Sequence, residues 1–297
     1  MELRQLQYLV DVIDEGSFTK AAAKAFVAQP GVSAQVRRLE RELALTLLDR
    51  SGTTVTPTEA GEAILPFARA ALNAVAGVRQ TADAFAGLVR GHLTVGMVTS
   101  ISTPRVDVPA LIAGFHGPQP GIEVTLVEAP SGQLVGALRG GRVDVALIGL
   151  GAEPPTEDLA YRVVATEPVV VAVGPAHPLA SHKTVTLATV AEHDCITLPE
   201  GTGVRSQIDA ALGAAELSPR IAFEAGDPRL LAQLASEGLG VALLPASAAD
   251  VERRAIRRLT LTGAQLEGRI ALAWRADRPS SPATKAFLDH AAHVMGG

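Results

Sequence analysis

Three arginines, Arg37, Arg38 and Arg41, and two sets of hydroxyl residues are the parts of this sequence best suited to chemistry. A guanidinium carries a permanent charge and a planar fork of donors that fits a phosphate or a base edge. The hydroxyl sets are Thr99-Ser100-Ile101-Ser102-Thr103-Pro104 and Gly201-Thr202-Gly203-Val204-Arg205. Each follows a β-rich run and opens a helical pattern, where free N–H groups and the helix dipole can hold an anion. Thr99, Ser100, Ile101, Ser102, Thr202, Gly203 and Arg205 are therefore candidate ligand-binding residues, and a small carboxylate is the candidate ligand. The plainer reading, that these hydroxyls only cap their helices, is compatible with binding. His193-Asp194-Cys195 contains the ingredients of a thiol nucleophile, but neighbours in a strand point to opposite faces, which favours a buried structural thiol. His290 and His293 stand three apart on a terminal helix with no evident further ligand, so neither a metal site nor a cofactor is expected.

The elements that must position the arginines lie in residues 1–56. Leu6, Leu9, Val10 and Ile13 recur at helical spacing; Gly16 stops that helix and Ser17 caps the next, which buries Phe18, Ala21, Ala22 and Ala25. After a turn at Phe26-Val27-Ala28, Gln29-Pro30 opens a third helix with proline in its first turn. Val32, Val36, Leu39 and Leu43 share one face of it, Pro30, Ala34, Arg37, Arg38 and Arg41 project from the other, and Ser33 sits on the flank. Short helix, turn and cationic helix make a helix-turn-helix.

Asp49–Val55 reads as a hairpin or wing, and Thr56-Pro57-Thr58-Glu59 as a capping box with Pro57 at the first helical position. The following helix runs to about Gly87. Ile64, Ala68, Ala71, Val75, Val78, Ala82 and Phe85 alternate steps of four and three, a pairing seam of small residues. At about thirty residues it spans roughly 45 Å, which suggests a dimerisation linker too long to lie against the head.

After Arg90-Gly91 short β-rich runs alternate with helical stretches: 92–97, 122–127, 143–148, 169–173, 195–198, 221–223, 241–244 and 270–274. That alternation indicates α/β architecture with mainly parallel sheets.

Net charge is −5, which by itself argues against a nucleic-acid partner, but residues 1–90 are balanced, with ten basic and ten acidic side chains. A neutral module binds DNA when its positive charge is concentrated on the contacting element. A single cysteine permits no internal disulfide, no apolar run approaches membrane-spanning length, and the first residues lack a secretory pattern, so a cytoplasmic protein without membrane association is expected.

The chain resembles the LysR-type transcriptional regulators. The resemblance is carried by Met1-Glu2-Leu3-Arg4-Gln5-Leu6, Glu15-Gly16-Ser17-Phe18-Thr19-Lys20-Ala21-Ala22, Val27-Ala28-Gln29-Pro30-Gly31-Val32-Ser33, Gln35-Val36-Arg37-Arg38-Leu39-Glu40, and Leu48-Asp49-Arg50 with Thr56-Pro57-Thr58-Glu59-Ala60-Gly61. Looser markers follow at Gly91–Gly96, Gly140–Leu147 and Glu237–Pro245. It implies a winged helix-turn-helix over 1–57, a linker helix over 58–90, and a two-lobed effector domain over 91–297 similar to type 2 periplasmic binding proteins. Lobe I would be 91–163 and 269–297, lobe II 164–268, with crossings near Arg162–Glu167 and Leu266–Ile270. It further implies a homotetramer on double-stranded operator DNA, with RNA polymerase a further candidate partner. Gln29, Pro30, Ser33, Ala34, Arg37, Arg38 and Arg41 would face DNA, with Arg50, Thr53 and Thr54 in the wing. Ala28 stands where the family usually has a capping serine, and Gly31 and Ala34 where bulkier residues are commoner. A cytosolic solute-binding protein would share the C-terminal fold without the head. An enzyme on the same lobes would need a convergent acid, base or nucleophile, which the sequence does not display.

Overall fold

The computed structural model describes residues 1–85, 90–99, 101, 105–153, 157–250, 256–276 and 281–295. It divides into two compact units, Met1–Arg90 with Arg139–Arg142, and Gly91–Leu138 with Val143–Gly297.

The first unit begins with α1 (Leu3–Glu15), α2 (Phe18–Lys24) and α3 (Gln29–Leu43). Gly16 ends α1 with φ +60°, a conformation that costs glycine little. Ser17 Oγ then accepts from the Lys20 N–H, capping α2. Leu9, Ala21, Val32, Val36, Leu39 and Leu47 are fully buried together and fix α3 by its apolar face. The wing is β1 (Leu48–Asp49) paired antiparallel with β2 (Thr56–Pro57).

Two expectations need correction here. The cap of α4 (Glu59–Phe85) is Thr58 rather than Thr56: its Oγ1 accepts from the Gly61 N–H and donates to the Thr46 carbonyl. Pro57 cannot open the helix because it is paired with Leu48 in the wing. The proposed seam also fails over its first half. Ala68 is buried, and Ile64, Leu65, Ala71 and Leu72 pack against the same core as α1 and α3, so half the helix does lie on the head. Phe67 (72% exposed) and Val78 (71%) lie instead with Ala63 and Ala74 on another face. The side chain of Phe85 lies outside the described residues.

The second unit holds β3 (Gly91–Met97), α5 (Val108–His116), β4 (Ile122–Glu128), α6 (Ser131–Arg139), β5 (Val145–Gly149) and β6 (Leu159–Val173). A 3₁₀ turn at Pro178–Ser181 leads to β7 (Thr184–Thr186), α7 (Leu187–Ala191), β8 (Cys195–Thr197), α8 (Gly203–Ala214), β9 (Ile221–Glu224) and α9 (Pro228–Ser236). The remainder is β10 (Val241–Pro245), α10 (Ala246–Asp250), β11 (Arg257–Thr262), β12 (Glu267–Arg275) and α11 (Pro282–Met295). The strand order is β4-β3-β5-β12-β6-β10-β8-β9, with β11 between β6 and β7.

The fifteen-residue β6 makes two lobes of this sheet. Residues 159–168 pair with β12, and 169–173 pair with β10 and β11. β12 returns beside β6, so the chain crosses twice. β3, β4 and β5 are parallel to one another, as are β8, β9 and β10, but β6 and β12 run antiparallel to their neighbours. The sheets are thus mixed rather than mainly parallel. Residues 159–168, β7 and β11 had no strong apolar run to reveal them. Each lobe has its own core, one around Leu93, Val95, Phe115 and Phe287, the other around Val171, Ile196, Leu231 and Leu243.

Candidate functional site

On the first unit, burial of Val32, Val36 and Leu39 turns Gln29, Pro30, Gly31, Ala34, Arg37, Arg38 and Arg41 outward, and all seven are exposed. Arg37 and Arg41 each donate Nε–H to a carbonyl one turn earlier on α3, Ser33 O (3.3 Å) and Arg37 O (3.4 Å). Arg38 lies 3.3 Å from Glu2 in an exposed pair worth little, which an anion can displace. Ser33 is 8% exposed, and its side chain faces inward. Ala28 offers α3 no side-chain cap, but Pro30 has no N–H to satisfy and the Gly31 N–H already bonds the Ala28 carbonyl at 3.0 Å. In the wing, Thr53 and Thr54 are exposed. Arg50 is held: it pairs with Glu40 at 2.7 Å and lies 5.0 Å from the Phe18 ring centroid. Glu40 in turn accepts from the Leu47 and Leu48 N–H groups, so one carboxylate ties α3 to the wing.

On the second unit, a cleft of about 100 Å³ opens where the carboxyl ends of strands from both lobes meet, the usual place for ligands in open α/β sheets. Thr99 reaches it from the end of β3, Gly149 from β5, Leu198 and Pro199 from β8, and Thr202 and Gly203 from the start of α8. Of the expected residues, Thr99, Thr202 and Gly203 line it. Ser100 and Ser102 lie outside the described residues. Ile101 instead packs against the lobe I core.

Arg205 does not line the cleft either. Its side chain is 8% exposed, chelated by Asp209 (2.7 and 2.9 Å), paired with Glu224, and donating to the Leu198 carbonyl at 3.0 Å. It braces the strand end that lines the cleft. From the sequence it looked free because its partners are four and nineteen residues away. Thr202 does not cap α8: its hydroxyl donates to Pro199 O at 2.8 Å. The first-turn N–H groups of α8 thus receive no side-chain acceptor from it.

The sequence reading missed Ser131, Glu167 and Arg269. Both oxygens of Glu167 are engaged by Ser247, accepting from its N–H (2.8 Å) and its hydroxyl (2.9 Å). Arg269 donates from a terminal nitrogen to Gly151 O at 3.0 Å, while its buried Nε has no partner among the described residues. Both residues sit on the crossing strands, which form the cleft floor by construction. The proposed crossings were therefore the signal that would have found them.

Cys195 is fully buried. Its thiol is directed at the Val190 and His193 carbonyls, and burial, aided by Asp194, pushes its pKa up to about 11. Such a thiol is inert at neutral pH. Asp194 pairs with Arg220 at 3.3 Å rather than with a catalytic partner. Among the described residues no three His, Cys, Asp or Glu side chains gather to hold a metal, and no helix is long and apolar enough to cross a membrane.

A winged helix-turn-helix with an exposed cationic helix, joined in one chain to a two-lobed domain with a ligand cleft, defines a ligand-responsive regulator of transcription. The family description "Bacterial regulatory helix-turn-helix protein, lysR family" matches residues 3–62, and "LysR substrate binding domain" matches residues 86–296. The chain belongs to the LysR family of transcriptional regulators. It is 29% identical over 303 residues to the HTH-type transcriptional regulator CfxR of Cupriavidus necator, covering all of this chain and 94% of that one. Among solved structures, full-length OxyR from Pseudomonas aeruginosa superposes with TM-score 0.76 at 27% identity, covering 98% of this chain and 95% of its own. Full-length CbnR complexed with its target DNA superposes with TM-score 0.62 at 25% identity, covering 99% and 100%.

Proposed function

We propose that this regulator binds double-stranded operator DNA through α3 and its wing, and that a small-molecule effector in the cleft modulates that binding. The observation that carries the reading is the α3 face itself: fixed from behind by buried apolar residues, it leaves Arg37, Arg38 and Arg41 exposed. The DNA-bound state of CbnR supports it by similarity. In this reading Gln29, Pro30, Ala34, Arg37, Arg38 and Arg41 face the major groove or its phosphates, and Thr53 and Thr54 reach the backbone beside it. Ser33 acts from behind, through its carbonyl on Arg37. Arg50 acts mainly by holding the wing to Glu40.

Residues 1–57 are the DNA-binding domain, 58–90 the linker, and 91–297 the effector domain. The topology supports lobe boundaries at Pro168/Val169 and at Glu267. Pairing of α4 helices through the Phe67 face builds the dimer, and two dimers a homotetramer, in the cytoplasm, where RNA polymerase is accessible.

For the effector we infer a compact carboxylate, held by the N–H groups opening α8, by Thr99 and by the Nε–H of Arg269, which has no partner among the described residues. Glu167 would repel a second negative charge, which favours a monoanion. Titration calorimetry with small monocarboxylates and their neutral amides tests this; tighter binding of the amides overturns it. The DNA reading is tested by a mobility shift on the sequence upstream of the protein's own gene at two salt concentrations. Arg37→Ala with Arg38→Ala should abolish the shift, and the native salt slope should exceed that of either single variant by about one. Failure of the native protein to shift any genomic fragment would defeat the reading.

A further inference from the structure

The cleft is smaller than the roughly 300–1,000 Å³ usual for ligand sites, so the lobes must part to admit most effectors. The contacts that must yield converge on one side chain. Gln207, half-buried on α8 of lobe II, donates its amide to Leu150 O of lobe I (3.1 Å) and to Glu267 O on the crossing strand (2.7 Å). Its Oε1 accepts from the Glu267 N–H at 3.3 Å. Beside it, the Ser206 hydroxyl accepts from the lobe I Ala152 N–H at 3.4 Å. One turn earlier, Gly203 lies so near lobe I that a Cβ there would stand 2.5 Å from the Gly149 carbonyl carbon. The segment 149–152 is held from its other side by Arg269, whose carbonyl accepts from the Leu150 N–H at 2.8 Å and whose side chain reaches Gly151 O. It therefore does not follow α8 when α8 moves.

We infer that Gln207 is a positioning residue of the effector cleft: it latches α8 to the end of β5, and with Gly203 it sets the gap between the lobes and so the size of effector admitted. The inference rests on the cleft being the effector site. The Gln207 bond to Leu150 is the one that spans the lobes, Glu267 standing at the boundary itself, so its loss shifts the closed-to-open ratio about five-fold. An effector that needs the open pose then binds a more populated state and has a higher apparent affinity.

The test needs no effector, so it stands or falls apart from the carboxylate reading. Full-length chain carrying Glu192→Cys in lobe II and Lys285→Cys in lobe I, both exposed, takes nitroxide labels, while buried Cys195 stays unlabelled. Dilution with unlabelled chain restricts pulsed dipolar spectroscopy to distances within one chain. A second pair, Glu192→Cys with Arg229→Cys, reports lobe II alone. In the native background both distributions should be narrow. Gln207→Ala should add a longer-distance population to the interlobe pair and leave the lobe II pair unchanged. Gly203→Ala, which forces backbone from backbone, should lengthen the interlobe distance further. An interlobe distribution unchanged by Gln207→Ala overturns the inference. So does a lobe II distribution that spreads as much, because Gln207 would then belong to that lobe's own framework.

Discussion

At the scale of single residues, Arg205 and Cys195 show how burial reassigns side chains that look reactive in the sequence. Arg205→Ala would leave Asp209, Glu224 and the Leu198 carbonyl without their common donor. Because the two carboxylates are 47% and 43% exposed and regain water, the loss should be about 2 kcal/mol rather than the full penalty of a buried charge, read from urea unfolding. Arg205→Lys should recover only part of it, since an ammonium cannot reproduce the fork. For Cys195 the sign follows from a folded pKa near 11 against an ordinary value of 9.0. A raised pKa means the folded state holds the proton more tightly, so its contribution is complete below pH 9 and lost as pH rises through 11. Stability should fall over that window, and the fall should be shallower by about 2 kcal/mol in Cys195→Ala. Identical slopes would show that the thiol does not titrate there.

At the scale of elements, two helix starts differ from what their sequences suggest. The α3 N-cap, Ala28, already has the extended backbone of a capping residue, φ −73° and ψ 136°, but no side chain to accept a bond. Ala28→Ser should therefore raise stability by no more than about 0.5 kcal/mol, measured by thermal unfolding, because Pro30 has no N–H and the Gly31 N–H already bonds the Ala28 carbonyl at 3.0 Å. A gain of about 1 kcal/mol would mean that the Gly31 N–H exchanges that carbonyl for the hydroxyl. The other start, α4, begins two residues later than its sequence signal because the wing claims Pro57 for its ladder. A local capping pattern lost to a strand pairing.

At the scale of the whole molecule, α4 serves two surfaces, and a pair of substitutions separates them. Phe67→Glu should weaken self-association, lowering the sedimentation coefficient at micromolar concentration, while leaving the head folded. Ile64→Ala should do the reverse: the head loses about 1–2 kcal/mol of packing, less than a fully buried isoleucine because Ile64 is only partly covered, and association persists. Association insensitive to Phe67→Glu would move the pairing to another face.

The sequence by itself determined the head with its outward arginines and the alternating α/β pattern, while its resemblance to the LysR family supplied the regions where the chain crosses between lobes. The first two are local periodicities of 3.6 and 2 residues with their caps and breakers, which a sequence records directly. Tertiary structure alone decided the rest. The helical stripe at Ile64, Ala68 and Ala71 carries no mark saying whether its apolar partner is a second chain or its own head; α1 and α3 filled that role here. Arg205 carries no mark of where its guanidinium points, because Glu224 approaches only when β9 lies beside β8. Glu167 and Arg269 share a cleft although far apart in the chain, because β6 and β12 cross between lobes side by side. Hydrophobic patterning specifies which side of an element is buried, and only the assembled neighbours specify against what.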